Sequence, residues 1–348
     1  MRLAFYAPLK PLAHPVPSGD RAMARALLLA LTHMGSQVDL AASLRSRDGS
    51  GDVAVQRSLL DQVDHLLPDI VDQGRAAGWQ AWITYHNYYK APDLIGPAAA
   101  RALGIPYLLI EATRARKRLG GPWDAFARAA EAASDAAAVV FYLTERDHEA
   151  LAAYAPSGQN LVHLPPFLPR ADLPIMASGT HLLAVGMMRA AAKLPSYQLI
   201  AETLALLPSQ TKLDIAGDGP ARAQVEALMA PFGTRVQFLG ALGSNTLAQA
   251  YGRAGALIWP GVDEAFGMTY LEAQAHGLPV IAQDRPGVRD VLYPRTYPGV
   301  DEGAAGLAAL ALSQHPAPQD IQDYIRAKHL LPVAANTLRA GLAQAGVL

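Results

Sequence analysis

Short apolar runs alternate with alanine- and leucine-rich helical stretches along the whole chain, and partway through the alternation stops and starts again. That rhythm is the mark of parallel α/β sheets, because each pair of parallel strands needs a crossover helix between them. In the first half the strand-like runs are RLAFYA, QVDLAA, QAWITY, PYLLIE, AAVVFYL and NLVHLP. Among the helices between them, DRAMARALLLALTHMG shows helical apolar spacing and a glycine stop at Gly35. The stretch LPPFLPRADLP, residues 164–174, is proline-rich and without period, which marks a linker. The pattern then resumes through HLLAVG, SYQLIAETLALL, KLDIAGDGP, ARAQVEALMAPFG, VQFLG, NTLAQAYGRA and GALIWP. A chain of 348 residues suits two domains of ordinary size. The expected fold is α/β: an N-terminal Rossmann-like domain over 1–170, a second over 171–330, and a terminal helix over 331–348, broken at Pro332, that can pack back on the first domain. Ligands of such doubly wound sheets sit at the carboxyl ends of the strands.

Composition narrows the chemistry. With 29 basic and 30 acidic residues the net charge is −1, which gives no argument for a nucleic-acid partner. The chain has no cysteine, so it can have no disulfide, thiol nucleophile or cysteine-held metal. No apolar run approaches the ~18 residues that span a bilayer. MRLAFYAPLKPLAHP reads as a first strand rather than a signal peptide, so the expected location is the cytoplasm. The G-x-S-x-G elbow, the H-E-x-x-H helix, the phosphate-binding G-x-x-x-x-G-K-[ST] loop and a D-x-D metal pair are all missing, and no metal is expected.

The segment EAFGMTYLEAQAHGLPV, residues 264–280, places two glutamates eight positions apart. A helix is expected from Met268 or Thr269 to Gly277, leaving Glu264 in the preceding loop and Glu272 about one turn inside. The N–H groups and dipole at a helix start favour a phosphate. Gly267 lets a ligand approach the backbone closely. A carboxylate accepts several hydrogen bonds and suits the two donors of a ribose diol, and Glu264 could take the hydroxyls of a second sugar. The plainer reading is a solvated, glutamate-rich helix start. In HPVPSGDRAMARA, Gly19 precedes a helix that Ser18 or Asp20 can cap.

PGVDEAFGMTYLEAQAHGLPVIAQDRPGVRDVL resembles the E-x7-E region of retaining GT-B glycosyltransferases of family 4, the glycosyl transferases group 1, and DIAGDGP at 214–220 resembles a second element of that family. Ala265 stands where the family has glycine, Asp290 takes its acidic position, and the likeness runs from about 181 to 293. The resemblance implies two facing Rossmann-like domains with a central cleft. It also implies retaining transfer from a UDP- or GDP-linked sugar to a carbohydrate, lipid-linked or other hydroxyl acceptor, as in polysaccharide or glycoconjugate synthesis. No metal or cofactor is implied beyond the donor itself. Glu272 would bind the ribose, and Glu264 with the backbone of Phe266, Gly267 and Met268 would hold the transferred sugar. Thr269, Gly186, Gly217 and Gly19 would complete the donor set. Arg189 and Lys193, in AVGMMRAAAKLPS, would stabilise the departing diphosphate. Family members place a histidine after a first-domain strand, where GIPYLLIEATRARKR has Glu111 or Ala112. His86 in ITYHNYYKAPD is the nearest histidine, so His86 and Glu111 stand as alternatives. The cations Arg114, Arg116, Lys117 and Arg118, with Trp123 after them, suit a peripheral contact with the inner face of a membrane or a phosphorylated acceptor, or are a solvated loop. The alternatives to transfer are a GT-B epimerase or hydrolase and a degenerate module that only binds.

Overall fold

A computed structural model describes residues 1–10, 19–191 and 193–348 and divides the chain into two units. Ser18, one of the two expected helix caps, lies outside the described residues.

The first unit is Met1–Pro165 together with Leu331–Leu348. Its sheet has six parallel strands: β1 (Arg2–Tyr6), β2 (Gln37–Leu40), β3 (Ala81–Asn87), β4 (Tyr107–Ala112), β5 (Val139–Tyr142) and β6 (Asn160–His163), in the order β2-β1-β3-β4-β5-β6. The crossovers run through α1 (Gly19–His33), α2 (Val53–Ala77), α3 (Gly96–Leu103), α4 (Asp124–Ala136) and α5 (Glu145–Ala152). Leu108, Leu109, Ile110, Val139, Val140 and Phe141 are fully buried, as expected of parallel strands covered on both faces. The 25-residue α2 opens on an Asp52 cap that accepts from Ala54 N and Val55 N.

The second unit is Pro166–Leu330. Its strands β7 (His181–Val185), β8 (Leu213–Ala216), β9 (Val236–Gly240), β10 (Ala254–Ile258) and β11 (Val280–Ile281) lie parallel in the order β11-β10-β7-β8-β9. They are connected by α6 (Leu194–Leu206), α7 (Arg222–Met229), α8 (Ser244–Gly252) and α9 (Met268–Ala275), and α10 (Gly303–Leu312) and α11 (Pro318–Lys328) follow. The proline-rich stretch enters this unit as ordered chain: Leu168 N donates to His329 O at 2.8 Å, and Leu168 bridges Leu330.

The terminal α12 (Leu331–Gln344) belongs to the first unit, where it lies on α1, β5 and β6. A Cβ built on Gly341 would stand 2.2 Å from the Phe141 ring, so the close approach of α12 to β5 requires glycine there. The expected break at Pro332 falls instead at His329–Leu330. Pro332 sits in the first turn of α12, where a helix has no internal use for the missing N–H. No helix among the described residues is long and apolar enough to cross a membrane.

Each sheet reverses its direction of growth once. In the second unit, β8 and β9 add to one side of β7, and β10 and β11 to the other. The strand order therefore reverses between β7 and β10, and the carboxyl ends of strands at such a switch point are where ligands of doubly wound sheets bind. In the first unit the reversal lies between β1 and β3.

Candidate functional site

The two loops at the switch point of the second unit carry the expected residues, Lys193 after β7 and Glu264 after β10. Trp259, the residue following β10, donates from Nε1 to Glu264 Oε1 at 2.8 Å, and Lys193 Nζ donates to the same oxygen. The ammonium also lies 5.9 Å from the centre of the Trp259 ring. Each side chain of the Lys193–Glu264 pair is 16% exposed, so both are held but still reachable from solvent. Trp259 is buried and packs edge-on against Tyr197 at 5.3 Å. The Tyr197 hydroxyl in turn donates to Gly186 O at 2.7 Å. Gly186 and Gly217 bring the loops after β7 and β8 together backbone to backbone. A Cβ on Gly186 would meet the Trp259 ring at 2.4 Å, and one on Gly217 would meet Gly186 O at 1.9 Å. Close approach, rather than any side-chain chemistry, explains both glycines.

Arg189 is placed differently. Its side chain is exposed, while its backbone carbonyl accepts from Lys193 N at 3.0 Å and Leu194 N at 3.1 Å. Of the two cations expected to be fixed, the protein alone fixes Lys193.

Phe266 and Gly267 lie in the loop between Glu264 and α9, and Met268 and Thr269 open the helix; all four are half-buried. Gly267 adopts φ +83°, a left-handed conformation that starts α9 with no side-chain cap. Glu272 lies one turn inside α9, where Tyr251 donates from its hydroxyl to Glu272 Oε2 at 2.9 Å. Burial raises the Glu272 carboxyl above the ordinary carboxylate range, and the Tyr251 hydrogen bond opposes that rise.

The first unit has its own polar cluster at the ends of β3 and β4. Tyr85 pairs with Ile110 and Asn87 with Ala112, which sets His86 opposite Glu111. Both adopt positive φ, +71° and +60°, a costly conformation for side-chain-bearing residues that tends to collect at functional sites. His86 Nδ1 stands 3.7 Å from Glu111 Oε1 and 3.7 Å from Asp20 Oδ1 in the first turn of α1. His86 Nδ1 and Glu111 Oε2 are buried without a hydrogen-bond partner. Burial pushes the Glu111 carboxyl up, with His86 opposing and Asp147 and Asp20 adding. A Cβ on Gly19 would touch nothing, so no close contact calls for glycine there.

The basic cluster divides. Arg114 is buried, its side chain 2% exposed, and pairs with Glu131 and Asp135. Arg116 pairs with Glu131 and lies 4.3 Å over the Tyr154 ring. Arg114 is thus withdrawn from the exposed basic surface, because neighbouring carboxylates of α4 neutralise it. Lys117 and Arg118 stay exposed, and Arg118 and Lys90 flank the Tyr89–Trp123 ring pair. Among the described residues no group of three or more His, Asp or Glu is placed to hold a metal ion.

Trp259 and Tyr251, which donate to Glu264 and Glu272, were not among the residues expected at the site. Trp259 was within reach, since GALIWP puts an indole at a strand end five residues before Glu264. Tyr251 has no such signal; it meets Glu272 only because α8 and α9 fold together.

Residues 179–311 match the family model described as glycosyl transferases group 1. The chain is similar to the GDP-mannose-dependent alpha-mannosyltransferase of Mycolicibacterium smegmatis, 39% identical over 95 residues, which is 27% of this chain and 24% of that protein. It thus spans about a quarter or less of the length of the curated relatives it first matches. Among solved structures, the lipopolysaccharide outer core galactosyltransferase WaaB in its apo form superposes with TM-score 0.68 at 14% identity, covering 99% of both chains. Anabaena Alr3699/HepE in complex with UDP and glucose superposes with TM-score 0.64 at 14% identity, covering 98% of this chain and 99% of that one. At such identities the likeness is one of fold, and the fold is GT-B.

Proposed function

We propose, for a chain that belongs through residues 179–311 to the glycosyl transferases group 1 family, that it moves a sugar from a nucleoside diphosphate sugar to an acceptor hydroxyl. In this reading the anomeric configuration is retained and no metal takes part. The observation that carries it is the meeting of Lys193, Glu264 and Trp259 at the switch point of the second sheet, with Glu272 one turn into the following helix.

Read as a donor site, Glu272 accepts hydrogen bonds from the ribose diol, and Glu264 with the N–H groups near Phe266–Met268 takes hydroxyls of the transferred sugar. The bond from the anomeric carbon to the diphosphate breaks while the acceptor oxygen attacks from the same face. A leaving phosphate oxygen takes the acceptor proton, so the configuration is kept without a protein nucleophile. Negative charge gathers on the diphosphate as it departs. Lys193 and the amino end of α9 are oriented beforehand, so they stabilise that charge with little reorganisation. Arg189 is the second cation available from the same loop. Glu111 and His86, with partnerless polar atoms at the strand ends of the first unit, are the groups available to the acceptor. Lys117 and Arg118 are the cations left for an anionic acceptor or membrane surface.

Both bases have support as donors: one relative is named for GDP-mannose, and one structure of the same fold holds UDP. Calorimetry with UDP, GDP, ADP and their sugar conjugates, with and without EDTA, tests the reading. Binding of one base family, unchanged by EDTA, is expected. A folded sample that binds none of them would leave a module without donor chemistry.

A further inference from the structure

We infer that Tyr251 is a positioning residue for the nucleotide: its hydroxyl fixes the Glu272 carboxylate in the orientation that reads the ribose. The inference rests on the donor reading of Glu272 above. Of the residues of α8, Tyr251 alone is buried, and a cavity of about 490 Å³ lies between that helix and the sheet, lined in part by His181, Asp214, Gln237 and Arg253. Leu247 and Ala250 pack half-buried against the core, and Tyr251 seats the carboxyl end of the helix. The Tyr251 ring stacks on His276 at 5.6 Å with 24° between the planes. His276 Nδ1 lies 3.1 Å from Ile175 O, which sets the imidazole with its proton on Nδ1. Ring and hydroxyl are thus constrained from two sides, and the hydroxyl meets Glu272 Oε2 at 2.9 Å.

The chemistry fits the role. Burial and the Glu272 charge keep the phenol protonated, with the Thr269 hydroxyl beside it, so it can only donate to the carboxylate. The groups facing Glu272 are this phenol from α8 and, across the Tyr251 ring, His276, the residue that follows α9. Donation to Oε2 favours the ionised carboxylate against its burial and stops it rotating, leaving Oε1 to the diol.

The test is calorimetry on the full chain with UDP and GDP and their 2′-deoxy forms, between pH 5 and 8. It compares the wild type, Tyr251→Phe, Glu272→Gln and the double variant. The ratio of ribose to deoxyribose affinity isolates the 2′-hydroxyl of the diol, because the phosphates titrate alike in both ligands. Tyr251→Phe is expected to lower ribonucleotide affinity about three- to tenfold and 2′-deoxynucleotide affinity less, so that the ratio falls. The acid limb of the ratio should move to higher pH, since the carboxyl loses the bond that held its pKa down. The double variant should discriminate no worse than Glu272→Gln. An unchanged ratio and acid limb in Tyr251→Phe, with the ratio lost in Glu272→Gln, would overturn the role of Tyr251 alone. Equal loss of both ligands in Tyr251→Phe would show packing rather than positioning, and overturns it too. A wild type that does not distinguish the ligands, or a Glu272→Gln variant that still does, would overturn the ribose reading and this inference with it.

Discussion

Lys193 and Arg189 belong to one short loop, yet the protein treats them differently. Lys193 is pinned to Glu264 beside Trp259, whereas Arg189 stands in solvent. Lys193→Ala removes an oriented donor and is expected to slow turnover on the order of a hundredfold. Arg189→Ala should melt within about 0.5 kcal/mol of the wild type, as an exposed substitution does. Steady-state kinetics beside thermal melts checks both, and normal turnover with both cations removed would sink the electrostatic role. Glu111 makes a prediction of opposite sign to most carboxylates. Its folded pKa is raised, so the folded state binds the proton more tightly than the unfolded chain. Stability therefore falls as pH rises from the ordinary glutamate value through the raised one. Glu111→Gln should remove that loss, giving a higher melting temperature than the wild type at pH 8 and little difference at pH 4. His86, Tyr85, Asp147 and Asp20 face the same carboxyl, and a melting difference independent of pH would count against burial as the cause.

At the scale of elements, local signals marked most strands and several helices, because a buried parallel strand is a short continuous apolar run. Register and close approach were not legible in that way. The contact of α12 with β5 depends on the missing side chain at Gly341, separated from Phe141 by most of the chain. Gly341→Ala should cost about 1–3 kcal/mol through overpacking against a buried ring. Urea unfolding of the two proteins measures this, and an unchanged midpoint would mean that α12 shifts freely.

For the molecule as a whole, the two units differ in how the chain builds them. Residues 166–330 form the second unit without interruption, while the first needs residues 331–348 to return to it. Expressed alone, 166–330 is expected to unfold cooperatively. Residues 1–165 alone should lack cooperative melting, since the face that Ala334, Ala335, Leu338 and Leu342 cover would be open. Circular dichroism melts of the two fragments distinguish the cases. A sharp transition in 1–165 would show that α12 is dispensable.

Periodicity and spacing in the sequence were enough to determine the alternation of strands and helices, the two doubly wound sheets and the loop position of Glu264 ahead of the Glu272 helix, because each depends on residues a few positions apart. The tertiary structure alone decided what those carboxylates touch. Lys193 reaches Glu264 across 71 positions and Tyr251 reaches Glu272 across 21, where strand order and helix packing set the encounter. It also decided that Arg114 is buried while Lys117 is not, and that His86 and Glu111 stand side by side with partnerless atoms. Charge and burial at a site depend on neighbours distant in sequence, and local pattern says nothing of them.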